Sequence, residues 1–514
     1  MATKKELRGQ YILNILHNIE LAGDAYSTAE ELYQLCKQKH PSLSEDAFRA
    51  DKTFLQKEGR IAQEGRRIYL AKTLAYENAA AQFLADILSN NENELQSALQ
   101  DMPASIELTT LTGEQQSAIR MVFGHRLSLI LGGAGTGKTT LVRGLIAQAP
   151  HRLSSCILCA PTGKAARNLT ERTGVQARTV HGALGLRPEE NFLGPVHWDL
   201  TGLVVIDEAS MMTLEMLAGI LHKVSPFAHV VLIGDPYQLL SVGAGNVLPD
   251  LLALGVPCTQ LTICHRQSAQ AAALGHNVRH FQECRSLADL RFDNSFYFVP
   301  QTDEKRICQA VCCGGAKLYR MGGSTQVLSP FRSSGKLSVS SLNYVLRDML
   351  NPAVPANQNP DWPDACFREG DRVMVLENDW QQMVCNGDVG HFYFLSQPGS
   401  FGISCPGQRR ACWIGENPSD RLSLAYAITV HKAQGSEYDM VILPLVKSFG
   451  VMLTRNLLYT AISRARKHVV LVGDPDALEE ALRQEPKPRK SQLVAKTRMC
   501  CVKNDLQKKR CRYA

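Results

Sequence analysis

The 514-residue sequence has no apolar run that reaches the roughly 18 residues of a membrane span. Lys4, Lys5 and Arg8 open the chain, but no apolar signal-peptide core follows them. The expectation is a cytoplasmic protein with no membrane partner. Internal repeats and low-complexity tracts are also missing, which excludes a repeat array. Cysteine is plentiful at 16, yet metal-ligand spacing is absent. Cys156 and Cys159 fall in a strand-like run that points them to opposite faces. Cys308, Cys312 and Cys313 fall on a helical stretch, while Cys500, Cys501 and Cys511 sit in the C-terminal tail without a partner pair. The cysteines therefore read as reduced thiols, and no structural metal is expected.

What is present is an ordinary globular composition, 45% hydrophobic and 20% charged, with length for three or four domains. The net charge of +7 is unevenly placed. Residues 483–514 carry eleven Lys or Arg against Glu485 and Asp505, which leaves the rest of the chain slightly acidic. Nucleic-acid contact would then need a local groove together with this tail. The competing reading of the tail is a solvated, disordered end.

The most informative segment is Gly132, Gly133, Ala134, Gly135, Thr136, Gly137, Lys138, Thr139 and Thr140, which follows the apolar run Leu127 to Leu131 and precedes a helical stretch. Such a loop closes backbone N–H groups around phosphates, sends its lysine to the β and γ oxygens, and offers the hydroxyl of Thr139 to Mg²⁺. ATP and Mg²⁺ are the implied ligands. Downstream, the apolar Val204 to Ile206 run into Asp207 and Glu208. An acidic pair at the end of a buried strand suits Asp207 to the metal and Glu208 to the attacking water. Gly234 to Gln238 end the next strand, and the Gln238 carboxamide can both donate to and accept from the γ-phosphate and its water. Arg266 and Arg464 are candidates for the cation that stabilises the transferred phosphoryl.

Strands alternate with helices from Leu111 onward, the pattern of doubly wound α/β units. The first set places strands at 128–131, 156–160, 203–206 and 230–233; the second at 325–328, 440–443 and 468–472. Between 367 and 426 the pattern changes to short strands and turns, as in a small β-barrel inserted into the second set. Ahead of residue 75, capping signals at Ser27 or Thr28 and at Ser44, then a hairpin around Glu64-Gly65, give helix, helix, hairpin: a winged-helix-like pattern. Residues 76–99 read as helix, with a boundary at Pro103 and Ser105.

The motifs Leu111 to Gln115, Gly132 to Thr140, Ala160 to Ala166, Asp207 to Met211, Gly234 to Gln238, Arg266, Thr429 to Glu437 and Ser463 to Ala465 occur in the order of superfamily 1 helicase motifs. With Val327 to Pro330, Gly370 to Met374 and Asn386 to Gly390, the chain most resembles RecD-like helicases. That resemblance implies two RecA-like P-loop domains at 111–255 and 256–480, an SH3-like insert at about 367–425, a winged-helix-like module at 1–75, a helical linker at 76–110 and a basic tail at 481–514. It implies that Gln115 reads the adenine and that Gln238, Arg266, Gly435 and Arg464 complete the γ-phosphate shell. Thr162, Lys164, Thr179 and His181, with Pro330, Arg332, Thr429, His431 and Lys432, would grip single-stranded DNA or a duplex/single-strand junction through phosphates, without reading sequence. It further implies 5′ to 3′ movement, contact between insert and strand, and a strand-splitting pin at 185–198.

Tyr237, Leu240 and Ser463 depart mildly from the family pattern, and the winged-helix-like segment begins almost at Met1. The sequence leaves two readings of the same cleft: an ATP-driven DNA helicase or translocase, and a DNA-stimulated ATPase subunit that remodels a larger complex. A protein partner through the N-terminal module or the tail fits either. A nuclease lacks an additional carboxylate-lysine cluster.

Overall fold

The computed structural model describes residues 8–89, 111–149, 155–186, 190–194, 200–263, 271–354, 366–379, 381–397, 399–405, 410–414 and 417–512. Arg266, the Pro103 and Ser105 boundary and parts of the pin segment lie outside these residues.

At the N-terminus, α1 (Gln10–Leu21) buries Ile12, Ile15 and Leu16 at helical spacing. The two-residue β1 (Ser27–Thr28) leads into α2 (Ala29–Lys39). Thr28 Oγ1 accepts from Glu31 N at 3.2 Å while Glu31 Oε2 accepts from Thr28 N at 3.2 Å, so the capping box forms at the second of the two proposed positions. Ser44 caps α3 (Glu45–Lys57), and β2 (Ile61–Glu64) turns through Gly65 at φ 58° into β3 (Arg67–Leu70). The sheet order is β1-β3-β2. The helix, helix, hairpin reading missed α1 and β1; a two-residue strand has no alternation to detect. Helix α4 (Ala71–Ser89) begins directly after the hairpin, ahead of the expected residue 76.

The first parallel sheet contains β4 (Leu127–Gly132), β5 (Cys156–Ala160), β6 (Ala177–Thr179), β7 (Leu203–Ile206), β8 (His229–Gly234) and β9 (Cys258–Leu261), in the order β6-β5-β7-β8-β4-β9. Helices α5 (Gly113–Gly124), α6 (Lys138–Gln148) and α7 (Gly163–Thr173) pack around it. Cys159 and Cys156 enter different apolar clusters, one on each face of the sheet. The expected break at 255 falls too early, because β9 pairs with β4, Leu131 opposite Gln260. Its Cys-Thr-Gln-Leu sequence has too little apolar character to announce a strand.

The second parallel sheet starts with β10 (Phe296–Pro300) and β11 (Thr325–Ser329). It is interrupted by antiparallel β12 (Arg372–Val375), β13 (Val389–Phe394), β14 (Ser400–Ser404), β15 (Ala411–Ile414) and β16 (Leu422–Leu424). It resumes with β17 (Ala427–Thr429), β18 (Tyr438–Leu445) and β19 (Ala465–Gly473), in the order β10-β19-β18-β11-β17. The interrupting sheet has its own core of Phe392, Phe401 and Trp413. Helices α8 (Arg455–Ser463) and α9 (Pro475–Arg483) pack on the second sheet.

Between Arg489 and Arg498 the tail packs against the protein and is not a free end. Helix α10 (Leu493–Arg512) lies along α4, and Leu493 is buried in the first sheet's core. Lys490 pairs with Glu31 at 2.6 Å, and Lys496 with Glu64 at 2.8 Å and Glu77 at 3.1 Å. These partners lie far away in sequence, so local composition reads the basic residues as exposed. Ser491 Oγ donates to Asp250 Oδ2 at 2.7 Å beneath this segment. Burial, then Glu77, pushes the Asp250 carboxyl up to about 6 despite the Ser491 bond. A folded value above the unfolded one stabilises the fold at low pH, and that contribution is lost as pH rises through 6. Asp250→Asn keeps an acceptor for Ser491 without the buried charge. It is expected to raise stability at pH 7.5 by on the order of 2 kcal/mol, with the gain shrinking toward pH 5, measured by scanning calorimetry at both values.

Candidate active site

The loop between β4 and α6 forms the floor of the site. Gly135 and Gly137 take φ 79°, a left-handed backbone that only glycine adopts without strain. A Cβ on Gly132 would lie 2.5 Å from Thr136 Oγ1, so the tight turn also needs glycine there. Lys138 Nζ donates to the carbonyls of Gly132 at 2.7 Å and Gly133 at 2.8 Å, which fixes the ammonium over the loop. Thr139 lines the cleft from the first turn of α6, but Thr140 is exposed and does not. Gln115 is buried: it closes the α5 capping box with Thr112 and donates from Nε2 to Gly137 O at 3.2 Å, which ties it to the loop.

The neighbouring strands supply the acids. Asp207, at the end of β7, accepts from Glu208 N at 2.8 Å; burial and then the Glu208 charge push its carboxyl up to about 6, with Lys138 opposing. Glu208 stands at φ 53°, one of two described non-glycine residues with positive φ. Such strain persists where surroundings over-determine it, often at a working site. After β8, buried Asp235 accepts from Tyr237 N at 3.1 Å, Gln238 Nε2 at 3.3 Å and Tyr459 Oη at 2.8 Å. Gln238 Oε1 is buried without a hydrogen-bond partner among the described residues.

A cleft of about 340 Å³ brings Lys138, Thr139, Asp207, Glu208 and Gln238 together with Ser463 and Arg464 from the second sheet. A narrow extension of about 50 Å³ adds Gly435. A larger groove, about 830 Å³, lies on the N-terminal segment and holds none of these residues. Arg464 is buried and aimed by three acceptors: Thr460 O at 3.3 Å, Ser436 O at 3.4 Å and Ser463 Oγ at 3.2 Å.

The two sheets are also joined around the cleft by side chains that sequence reasoning missed. Tyr459 Oη accepts from Ala134 N of the glycine loop at 3.4 Å. Thr460 Oγ1 accepts from Leu239 N at 2.8 Å, Gln434 Nε2 donates to Leu239 O at 2.8 Å, and Asn456 Nδ2 donates to Gln238 O at 3.2 Å. Arg172 pairs with Glu437 across the cleft at 2.9 Å. Asn168 Nδ2 donates to the carbonyl of Gly435. Gln434 and Glu437 lie inside the Thr429 to Glu437 motif without having been given a role, and the only sequence signal of the others was proximity to the recognised motifs.

The proposed strand-binding residues fall at matching sheet ends. Thr162 caps α7 just beyond Ala160 of β5, and Thr179, which pairs with Ala160 at the end of β6, caps the turn that follows. Ser329 pairs with Thr429 at the equivalent end of the second sheet, next to buried Pro330 and exposed Arg332. Lys164 Nζ reaches Gly387 O at 3.4 Å and Lys432 Nζ reaches Asn386 Oδ1 at 3.0 Å, so both meet on the β12–β13 turn. Burial, then the Arg332 charge, lowers the Lys432 pKa. Arg167, which sequence reading passed over, locks the same turn through Asp388 at 2.7 Å. His181 instead packs edge-on against Phe192, ring centroids 4.9 Å apart, and burial lowers its pKa. Phe192 is itself buried, so the described part of the pin segment packs down on the protein.

Two parallel α/β sheets sharing one cleft, lined by a glycine loop from the first and an arginine from the second, have the arrangement of a RecA-like P-loop helicase core. Residues 110–291 match an AAA domain, and residues 424–472 match a UvrD-like helicase C-terminal domain. Over 469 residues the chain is 33% identical to the ATP-dependent RecD2 DNA helicase of Deinococcus radiodurans, covering 89% of this chain and 61% of that protein. It is 29% identical over 419 residues to the RecBCD enzyme subunit RecD of Mycolicibacterium smegmatis, covering 72% and 73%. Over most of its length the chain is similar to RecD-like helicases, and it spans 61% of the length of the Deinococcus relative. A Bacteroides Pif1 bound to single-stranded DNA overlays with a TM-score of 0.45 at 20% identity, covering 74% of this chain and 94% of that one.

Proposed function

We propose that the protein is an ATP-dependent helicase or translocase that moves on single-stranded DNA, 5′ to 3′. The observation that carries this reading is the shared cleft, in which Lys138, Asp207, Glu208 and Gln238 of one sheet face Arg464 of the other. Lys138 and the loop amides hold the β- and γ-phosphates. The hydroxyl of Thr139 and the carboxylate of Asp207 are hard oxygen donors suited to Mg²⁺, which when bound neutralises phosphate charge. Water attacks the γ-phosphorus and the bond to the β-phosphate oxygen breaks, releasing ADP. Glu208 takes the proton from the water, the unpartnered Gln238 Oε1 accepts from it, and Arg464 stabilises the charge on the transferred phosphoryl. Arg266 is proposed as a second cation there, and Gln115 as the adenine reader beside Gly137.

The same segment that carries Gln238 is gripped by Gln434, Asn456 and Thr460. Closing of the cleft around ATP therefore moves the second sheet's Thr429, His431 and Lys432 relative to the first sheet's Thr162 and Lys164, and a bound strand moves with them. We assign 1–75 as a winged-helix-like module and 76–110 as a linker. The two RecA-like domains meet after Leu261 and the second runs to about 480, with an SH3-like insert near 367–425 whose 386–388 turn borders the strand path. ATP turnover by the full chain is expected to rise on adding oligo(dT) and to fall to background in Lys138→Ala; turnover indifferent to single-stranded DNA removes the reading. The presence of RecD subunits of RecBCD among the relatives favours one variation, a helicase that works inside a complex. Strand separation by the purified chain alone counts against that variation.

A further inference from the structure

The segment after α9 crosses from one body to the other within six residues. Helix α9 buries Ala477, Leu478, Ala481 and Leu482 in the second sheet's core, and Arg455 N donates to Gln484 O at 2.9 Å. Arg489 is already half-buried against the first sheet's loop: Nη1 donates to Ser241 Oγ at 3.1 Å, Gly243 O at 3.4 Å and Gly245 O at 2.9 Å, and Nη2 to Ser241 O at 2.5 Å. The loop has little freedom to follow another path. Gly243 and Gly245 take φ 130° and 111°, and a Cβ on either would press on Thr213 or Leu214 at 2.9 or 2.8 Å. The N-terminal segment closes the other side, where Gly245 N donates to Gly23 O at 3.0 Å and Lys490 N to Asp24 Oδ1 at 2.8 Å. A Cβ on Gly23 would run into Arg489 Nε. Gln434, which donates to Leu239 O of the same segment at 2.8 Å, directly follows the short helical turn His431–Ala433, so the segment is also tied to the proposed strand-binding face.

Residues 238–245 thus form one short segment gripped at both ends. Asn456, Thr460 and Gln434 hold Gln238 and Leu239 at the cleft, and Arg489 holds Ser241 to Gly245 from behind. We propose that Arg489 is a positioning residue for ATP hydrolysis: by fixing this segment it sets Gln238 in the cleft and couples turnover to the strand-binding face. The inference rests on the reading of the cleft as a strand-stimulated ATPase. A planar fork suits the role, because it satisfies several carbonyls at once where an ammonium is a point donor.

The test is steady-state ATP turnover of the full chain with and without saturating oligo(dT), for Arg489→Ala, Arg489→Lys and Lys490→Ala, normalised to nucleotide sites titrated with a fluorescent ADP. Arg489→Ala is expected to lower the DNA-saturated kcat about tenfold with KM for ATP changed less than about twofold, the pattern of a lost transition-state interaction. Arg489→Lys should fall between parent and alanine variant. Lys490→Ala frees the same strap from Glu31 without touching residues 238–245, and should keep the parent stimulation ratio. Parent-like kcat per titrated site in Arg489→Ala overturns the proposal, as does an equal loss in Lys490→Ala. If the alanine variant does not fold, a parent-like kcat in Arg489→Lys overturns it alone. A parent enzyme that ignores oligo(dT) instead sinks the strand-stimulated reading, while the effect of Arg489 on unstimulated kcat per site still tests the positioning role.

Discussion

Glu208→Gln is expected to lower saturated ATP turnover by about 10²–10⁴, the range for loss of a general base, while nucleotide affinity stays near the parent value. The carboxamide is nearly isosteric and leaves β7, the Asp207 to Glu208 N hydrogen bond and the left-handed backbone at φ 53° in place. Only the proton acceptor is lost. The strained backbone is itself informative, since a bulky residue at positive φ is uncommon and here turns the chain between β7 and the short turn Ala209–Met211. The proposed phosphate binding falls to Lys138 and the glycine loop, where the Lys138 ammonium is held by the carbonyls of Gly132 and Gly133 and not by Glu208. Equilibrium binding of a fluorescent ATP analogue, beside single-turnover hydrolysis, separates the two effects. Equal losses in affinity and rate would move Glu208 from proton acceptor to scaffold.

Arg464→Ala is expected to cost about 10³ or more in turnover, as for other arginines that stabilise the transferred phosphoryl. Arg464→Lys should recover little, because the guanidinium is aimed by three separate acceptors on Thr460, Ser436 and Ser463. ATP affinity should change much less than rate, since the phosphate loop belongs to the other sheet. The diagnostic result is loss of communication: oligo(dT) still binds, but its affinity no longer differs between ATP-analogue and ADP states. Coupling of this kind exists only where each ligand contacts the two cleft states differently. Stopped-flow hydrolysis, with oligo(dT) anisotropy in both nucleotide states, measures the pair of effects. Retained coupling with lost turnover would assign Arg464 to chemistry alone.

The parts legible in the sequence are those whose signal is local. An apolar run that ends in Gly-rich loop, lysine and hydroxyl marks β4, the loop and α6, and the apolar run before Asp207-Glu208 marks β7 almost to the residue. Arg464 and Gly435 were reached through motif order, and the structure brings both to the cleft rim. What stayed hidden depends on distant partners. Arg489 reads as one charge in a basic tail until Ser241 to Gly245 fold against it, and Arg172 reads as a helix-end cation until Glu437 arrives from the second sheet. Tyr459 looks like a core aromatic, and only tertiary placement sets its hydroxyl between Ala134 and Asp235. Strands β1 and β9 are too short or too polar to show a period, which left the first domain ending before its last strand.

Strand separation tests most directly whether closure of the cleft moves a strand, as proposed. A duplex with a 5′ single-stranded tail and its 3′-tailed counterpart are each mixed with the full chain and ATP, beside Glu208→Gln. The 5′-tailed duplex should be separated, the 3′-tailed duplex should not, and Glu208→Gln should separate neither. ATP-independent separation, or an intact 5′-tailed duplex together with ATP turnover indifferent to the strand, would contradict it.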